Sequence, residues 1–198
     1  MIVLGIVGSH RKNGNSFQMV KKALEKLKQA NSVVESDIIQ LADMRIEPCR
    51  VCNSCCKTRL RCAIEDDDFH IIYDRMRNAD AIIFAAPLYF PIPSKMVALM
   101  ERVASLHWST MQQEKDFESP LADKPACVLS TSASGAPVNL VLFHLVEFVT
   151  FLEMNLVTSK EWPHYGVAPL TNWVDPLESA GKMGIALAKR LKQLEGYD

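Results

Sequence analysis

The chain has 198 residues, 48% of them hydrophobic, which is enough for one sizeable core and short for two, so a single domain over 1–198 is expected. A formal net charge of −1 excludes general nucleic-acid binding, which needs a concentrated positive field. The N-terminus Met1-Ile2-Val3-Leu4-Gly5-Ile6-Val7 lacks the basic leader and longer apolar run of a secretory signal, which predicts a cytoplasmic protein whose six cysteines are mostly reduced.

Ile2 to Val7 reads as a strand closed by Gly8, and Phe17, Val20, Leu24 and Leu27 then recur at helical spacing over Phe17 to Gln29. Val33 to Ile39 reads as a second strand, and its Glu-Ser-Asp interruption places it toward a sheet edge. A long irregular segment follows. Asp66-Asp67-Asp68 puts negative charge at the start of a helix over Phe69 to Arg77, and the nearly all-apolar Ala79 to Ala86 is a central strand. The prolines of Pro87-Leu88-Tyr89-Phe90-Pro91-Ile92-Pro93 force a loop before a helix over Ser94 to Ser105.

The polar stretch Gln112 to Lys124 leads to a strand at Ala126 to Ser130, a loop through Gly135 and a helix near Asn139 to Leu152. A last strand around Met154 to Ser159 and a closing helix over Val174 to Leu194 complete the series. Val138 to Val157 approaches membrane length but carries His144, Glu147 and Glu153, so a half-buried helix is expected and no membrane span. Alternating strands and helices with apolar inner strands predict an α/β fold. Its five-stranded parallel sheet is doubly wound, with helices on both faces. Ligands of such sheets bind beyond the C-terminal strand ends.

The loop Gly8-Ser9-His10-Arg11-Lys12-Asn13-Gly14-Asn15-Ser16 ends at a helix N-terminus, where free N–H groups and the helix dipole favour an anion. Ser9 and Ser16 offer hydroxyls, Asn15 an amide and Arg11 a charge, while Gly14 permits a sharp turn beside Asn13. Two better-known phosphate motifs fail on spacing. Five residues separate Gly8 from Gly14 and Asn15 follows, unlike a Walker loop, and no G-x-G-x-x-G occurs.

Gly8 to Ser16 resembles the phosphate loop of the NADPH-dependent FMN reductase and iron-sulfur flavoprotein group, which is flavodoxin-like. Asp67-Asp68, the strand through Phe84, Ala86-Pro87-Leu88-Tyr89-Phe90 and the helix carrying Glu101-Arg102 follow in matching order. The resemblance is strong to about residue 105 and thinner beyond. It implies that FMN is the cofactor, with Pro87, Leu88, Tyr89, Phe90 and Ile92 around the isoalloxazine ring and Ser132, Ser134 and Gly135 in a third loop. It also implies that flavin carries the redox chemistry, so no catalytic side chain is assigned to His10 or His164. Trp162 and Tyr165 are candidates to cover the flavin or to pack.

Cys49, Cys52, Cys55 and Cys62 form C-x2-C-x2-C-x6-C within a cysteine-rich loop at about 45–65, a spacing that suits a cubane cluster. The pattern resembles the compact motif of the iron-sulfur flavoproteins, which implies a [4Fe-4S] cluster with these four as ligands. Three alternatives stay open: a structural zinc site, a redox-active disulfide within one C-x-x-C, and a flavin-only relative without a cluster. Cys56 is a spare thiol, and Cys127 is a core residue on a strand. Arg45, Arg50, Lys57, Arg59 and Arg61 stand near the cysteines against Glu47, a local basic patch that is either solvated loop charge or a docking face for an acidic electron carrier such as ferredoxin.

The expected function is therefore an FMN-dependent electron-transfer oxidoreductase passing electrons between cluster and FMN, with ferredoxin or NAD(P)H as redox partner. The alternatives are an NAD(P)H-dependent FMN or quinone reductase without a cluster, and a flavodoxin-like module with structural zinc. The apolar helix around Leu140 to Leu152 predicts a homo-oligomer, dimer or tetramer.

Overall fold

The computed structural model describes residues 1–132, 138–158 and 175–196. Along the chain run β1 (Ile2–Val7), α1 (Asn15–Ala30), β2 (Glu35–Gln40), α2 (Phe69–Asn78), β3 (Ala81–Pro87) and α3 (Ser94–Met111). Then follow β4 (Pro125–Thr131), α4 (Asn139–Phe151), β5 (Asn155–Leu156) and α5 (Pro176–Glu195). The strands pair in parallel in the order β2-β1-β3-β4-β5, the flavodoxin-like order, with β2 and its half-exposed face at an edge as expected.

The two-residue period of the inner strands divides the core between two faces. Ile82, Phe84, Ala86, Ala126 and Val128 face α2, α3 and α4, where Phe84 meets Phe148 edge-on at 5.7 Å. Ala81, Ile83, Ala85, Cys127 and Leu129 face α1 and α5. Cys127 is fully buried, and burial pushes its thiol pKa up, so it is a core residue. Helices α1 and α5 pack very closely at Gly184, where a Cβ would stand 2.0 Å from the carbonyl oxygen of Ala23, so no larger residue fits. No helix among the described residues is long and apolar enough to cross a membrane.

The differences from the expected elements have physical reasons. Helix α3 continues six residues past Ser105, because the polar residues that signalled its end turn inward: His107, Ser109 and Thr110 are buried and hydrogen-bonded. The Asp triplet at the start of α2 also ties down the preceding segment. Asp68 stands at the cap of α2 without a side-chain cap bond and accepts instead from the Arg45 N–H at 2.7 Å, and Asp67 accepts from the Phe69 N–H at 3.2 Å. The last strand shortens to Asn155–Leu156. Ser159 and Val174, the outer limits expected for the last strand and closing helix, lie outside the described residues.

Candidate functional site

Strand order reverses between β1 and β3, and the loops leaving their C-terminal ends meet there. The sheet ladder extends into them: the Gly8 N–H donates to the Ala85 carbonyl at 2.7 Å and the Leu88 N–H to the Thr131 carbonyl at 2.8 Å. The resulting cavity of about 370 Å³ is walled on one side by Ser9, His10, Arg11, Gly14, Asn15 and Ser16. Pro87, Leu88, Tyr89, Pro93 and Thr131 form the other wall.

One end of this cavity carries features that favour an anion. Helix α1 begins with Gly14 at its cap, makes no side-chain cap bond and has no acid in its first turn, so its leading N–H groups and dipole face the loop. The Ser16 hydroxyl is buried there with no hydrogen-bond partner among the described residues. Ser9 Oγ accepts from the Arg11 N–H at 3.1 Å, which folds the loop back on itself. A Cβ at Gly14 would stand 3.2 Å from Arg11 Cβ and 3.3 Å from its carbonyl oxygen, so glycine keeps this turn tight. Asn13 sits in the left-handed region at φ 55°, and its N–H donates to Gln40 Oε1 at 2.9 Å, tying the loop to the end of β2. An orphaned buried hydroxyl at an uncapped helix end fits the phosphate of FMN.

The second loop divides its residues. Pro87, Leu88 and Tyr89 reach the cavity, and the Tyr89 N–H donates to the Pro91 carbonyl at 2.9 Å. Phe90 is wholly exposed at φ 46°. Ile92 faces a different, mostly apolar cavity of about 490 Å³ between α3 and α4, shared with Glu101, His144 and Phe148. Sequence reasoning did not select Thr131 or Pro93, and it left His10 aside. His10 lines the cavity with Nε2 3.3 Å from Ser94 Oγ. Ser132 follows Thr131 directly. Ser134 and Gly135, and likewise Trp162, His164 and Tyr165, lie outside the described residues.

The cysteine-bearing segment leaves the sheet after β2 and is closed at its base by paired backbone. The Arg45 N–H donates to Asp68 Oδ2, the Asp68 N–H returns to the Arg45 carbonyl at 2.9 Å, and the Glu47 N–H donates to Asp67 Oδ2 at 2.8 Å. Arg102 of α3, 1% exposed, holds both ends. It pairs with the Asp67 carboxylate and donates to the Ile64 carbonyl at 3.0 Å and the Glu47 carbonyl at 3.4 Å, while its guanidinium carbon lies 4.0 Å from the Phe69 ring centroid. Burial pushes the Asp67 carboxyl up, but hydrogen bonds from the Glu47 N–H, Arg102 and the Phe69 N–H outweigh it and hold the pKa below the usual range. Lys95 adds bonds to the Ala42 and Met44 carbonyls at 3.1 and 2.7 Å.

Within this segment Cys49 Sγ lies 3.5 Å from Ser105 Oγ, and Cys55 Sγ lies 3.1 Å from Ser109 Oγ, one turn further along α3. Cys52 is exposed, and bonds from the Ser54 hydroxyl and N–H lower its thiol pKa. The Cys62 carbonyl faces His70 Nε2 at 3.0 Å. All six thiols are free. Among the described residues no three His, Cys, Asp or Glu side chains converge to hold a metal ion. The donor set itself, four free thiols on one loop pinned at both ends, has the chemistry of an iron-sulfur cluster. The expected basic patch is largely neutralised: Arg45 pairs with Glu47 at 3.3 Å, Arg59 with Glu114 at 3.0 Å and Arg61 with Glu65 at 2.5 Å. Glu114 is 55 residues away in sequence, so linear spacing could not reveal it.

Below the loop, Tyr73 Oη and His107 Nε2 share a buried hydrogen bond of 2.9 Å. Burial lowers His107 to about 4 and raises Tyr73 to about 12. An unfolded histidine titrates near 6.5, so as pH falls from there toward 4 the unfolded chain takes up a proton that the folded chain refuses, and stability declines by up to about 3 kcal/mol. His107→Gln, which still accepts from Tyr73, is expected to remove this part of the acid sensitivity when denaturation midpoints near pH 7 and pH 5 are compared. Parallel loss in both proteins would contradict the assignment.

Comparison with known proteins agrees with this geometry. Residues 1–164 match the family model for NADPH-dependent FMN reductase. An iron-sulfur flavoprotein of Methanosarcina thermophila is 35% identical over 135 residues, covering 68% of this chain and 64% of that protein. One of Methanocaldococcus jannaschii is 39% identical over 103 residues, covering 52% of this chain and 51% of its own length. The chain thus spans between half and two thirds of these relatives. Among solved structures, a flavone reductase superposes with a TM-score of 0.66 at 20% identity, covering 98% of this chain and 64% of that one. Flavodoxin 1 from Bacillus cereus superposes at 0.58 with 15% identity, covering 96% and 98%. At such identities these structures speak for the flavodoxin-like fold, and the family model speaks for descent: the chain belongs to the NADPH-dependent FMN reductase family.

Proposed function

We propose that this chain is an FMN-dependent electron-transfer oxidoreductase of the iron-sulfur flavoprotein type. It holds the FMN phosphate on the Ser9–Ser16 loop and a [4Fe-4S] cluster on Cys49, Cys52, Cys55 and Cys62. The observation that carries this reading is the shared helix α3. Pro93, at its N-cap, borders the flavin cavity, and Ser105 and Ser109 touch the cysteine loop. When bound, FMN exchanges electrons singly or in pairs, and an iron-sulfur cluster exchanges them one at a time.

The protein's own contribution is placement. Ser16 Oγ and the α1 N–H groups receive the phosphate, Pro87, Leu88 and Tyr89 form a stiff apolar wall for the ring, and Arg102 fixes the cysteine loop to the same helix. Ser132, Ser134 and Gly135 complete the pocket in this reading, with Phe90 and Ile92 at its margin. The redox partner is a small carrier such as ferredoxin or NAD(P)H. Exposed Leu140 and Phe143 on α4 support assembly as a homo-oligomer, and the free thiols support a cytoplasmic setting.

Cys52→Ser is expected to lose iron and acid-labile sulfide while keeping FMN, measured on anaerobically purified protein. A variant with full iron would overturn the ligand set. Direct hydride reduction of FMN without a cluster is the second reading, favoured by the NADPH-dependent family match. Rapid flavin reduction by NADPH in the iron-free variant would establish it.

A further inference from the structure

Ser105 and Ser109 stand four residues apart on α3, so both hydroxyls emerge on one face, one turn apart. That face meets the cysteine loop. Ser105 Oγ is 3.5 Å from Cys49 Sγ, and Ser109 Oγ is 3.1 Å from Cys55 Sγ and 3.4 Å from Cys56 Sγ. A helical serine ordinarily turns its proton back to the carbonyl four residues earlier, as the adjacent Thr110 does to Leu106 at 2.9 Å. Ser109 instead lies against two sulfurs, and it is only 6% exposed, so water offers it little competition.

Thiolate sulfur accepts hydrogen bonds, and it does so more strongly as negative charge accumulates on it. A hydroxyl proton held at a ligating sulfur therefore stabilises the reduced cluster more than the oxidised one and raises its potential. The arrangement also separates two adjacent thiols. Cys55 packs against the core on the near side of Ser109, whereas Cys56 is exposed and more distant.

We propose that Ser109, seconded by Ser105, is a positioning residue for the cysteine loop: its hydroxyl selects Cys55 over Cys56 as ligand and sets the one-electron potential of the bound cluster. This rests on the cluster reading above. Its logic is that a rigid helix, already fixed to the loop by Arg102, presents donors at the spacing of two cluster thiols.

The test is a redox titration of anaerobically purified holoprotein followed by electron paramagnetic resonance, with iron and flavin quantified in each sample. Ser109→Ala is expected to disfavour the reduced cluster about tenfold, a shift of about 59 mV to lower potential for one electron, with a smaller shift in Ser105→Ala. The FMN potential should stay at its wild-type value, and Ser109→Thr should restore the cluster potential. An unchanged cluster potential in Ser109→Ala at full iron content would overturn the inference while leaving the cluster reading intact. Wild-type protein without iron would overturn both. If Ser109→Ala fails to retain iron, retention at the wild-type potential by Ser109→Thr supports the hydroxyl's role, and loss in both variants refutes it.

Discussion

Replacing Arg102 by methionine is expected to destabilise the protein by about 3–5 kcal/mol, because it leaves the Asp67 carboxylate buried without its cation. Both side chains of this pair are fully buried, so neither water nor salt stands in for the missing partner. Arg102 also donates to the Ile64 and Glu47 carbonyls, which flank the cysteine loop on either side. The loss is therefore local as well as global, and the variant should hold iron poorly even where it folds. In a domain of this size each kcal/mol lowers the melting temperature by about 2–4 °C, so a drop of roughly 10 °C is expected. Pairing the change with Asp67→Asn should recover much of the loss, since it removes the stranded charge. A thermal melt of the single variant within 2 °C or so of the wild type would show that the buried pair does not anchor the loop.

Apo-protein is expected to bind FMN about a thousandfold more tightly than riboflavin, which shares the ring and lacks the phosphate. A single hydrogen bond involving a charged group contributes about 1.5–3 kcal/mol, and a helix N-terminus adds up to about 1 kcal/mol or more. Two such contacts from Ser16 and the α1 N–H groups reach about 4 kcal/mol, which corresponds to that ratio. Ser16→Ala should reduce the preference roughly tenfold or more while leaving riboflavin affinity unchanged. Equal affinities for the two flavins, measured by fluorescence quenching, would contradict the phosphate site.

Much of this architecture was readable from the residues, because strands and helices obey local periodicity. The runs Ile2 to Val7 and Ala81 to Ala86 are apolar on both faces, and the loop ahead of Phe17 has small residues where an anion site needs them. What could not be read were contacts between segments far apart in the chain. Arg102 meets Asp67 across 35 positions, and Ser109 meets Cys55 across 54. A serine, a threonine and a histidine near the end of an apolar helix look like its exposed end, and only the packed loop reveals that they point inward. The same limit hid Glu114, the carboxylate that neutralises Arg59 from 55 positions away. It also hid the split of the second cofactor loop, in which Tyr89 reaches one cavity and Ile92 another.

In the proposed function one chain carries both a flavin and a cluster. This is tested most directly by quantifying FMN, iron and acid-labile sulfide in wild-type protein purified without oxygen. The prediction is FMN accompanied by about four iron and about four sulfide per flavin, as a [4Fe-4S] centre requires. FMN with neither iron nor sulfide, or zinc in their place, would contradict it.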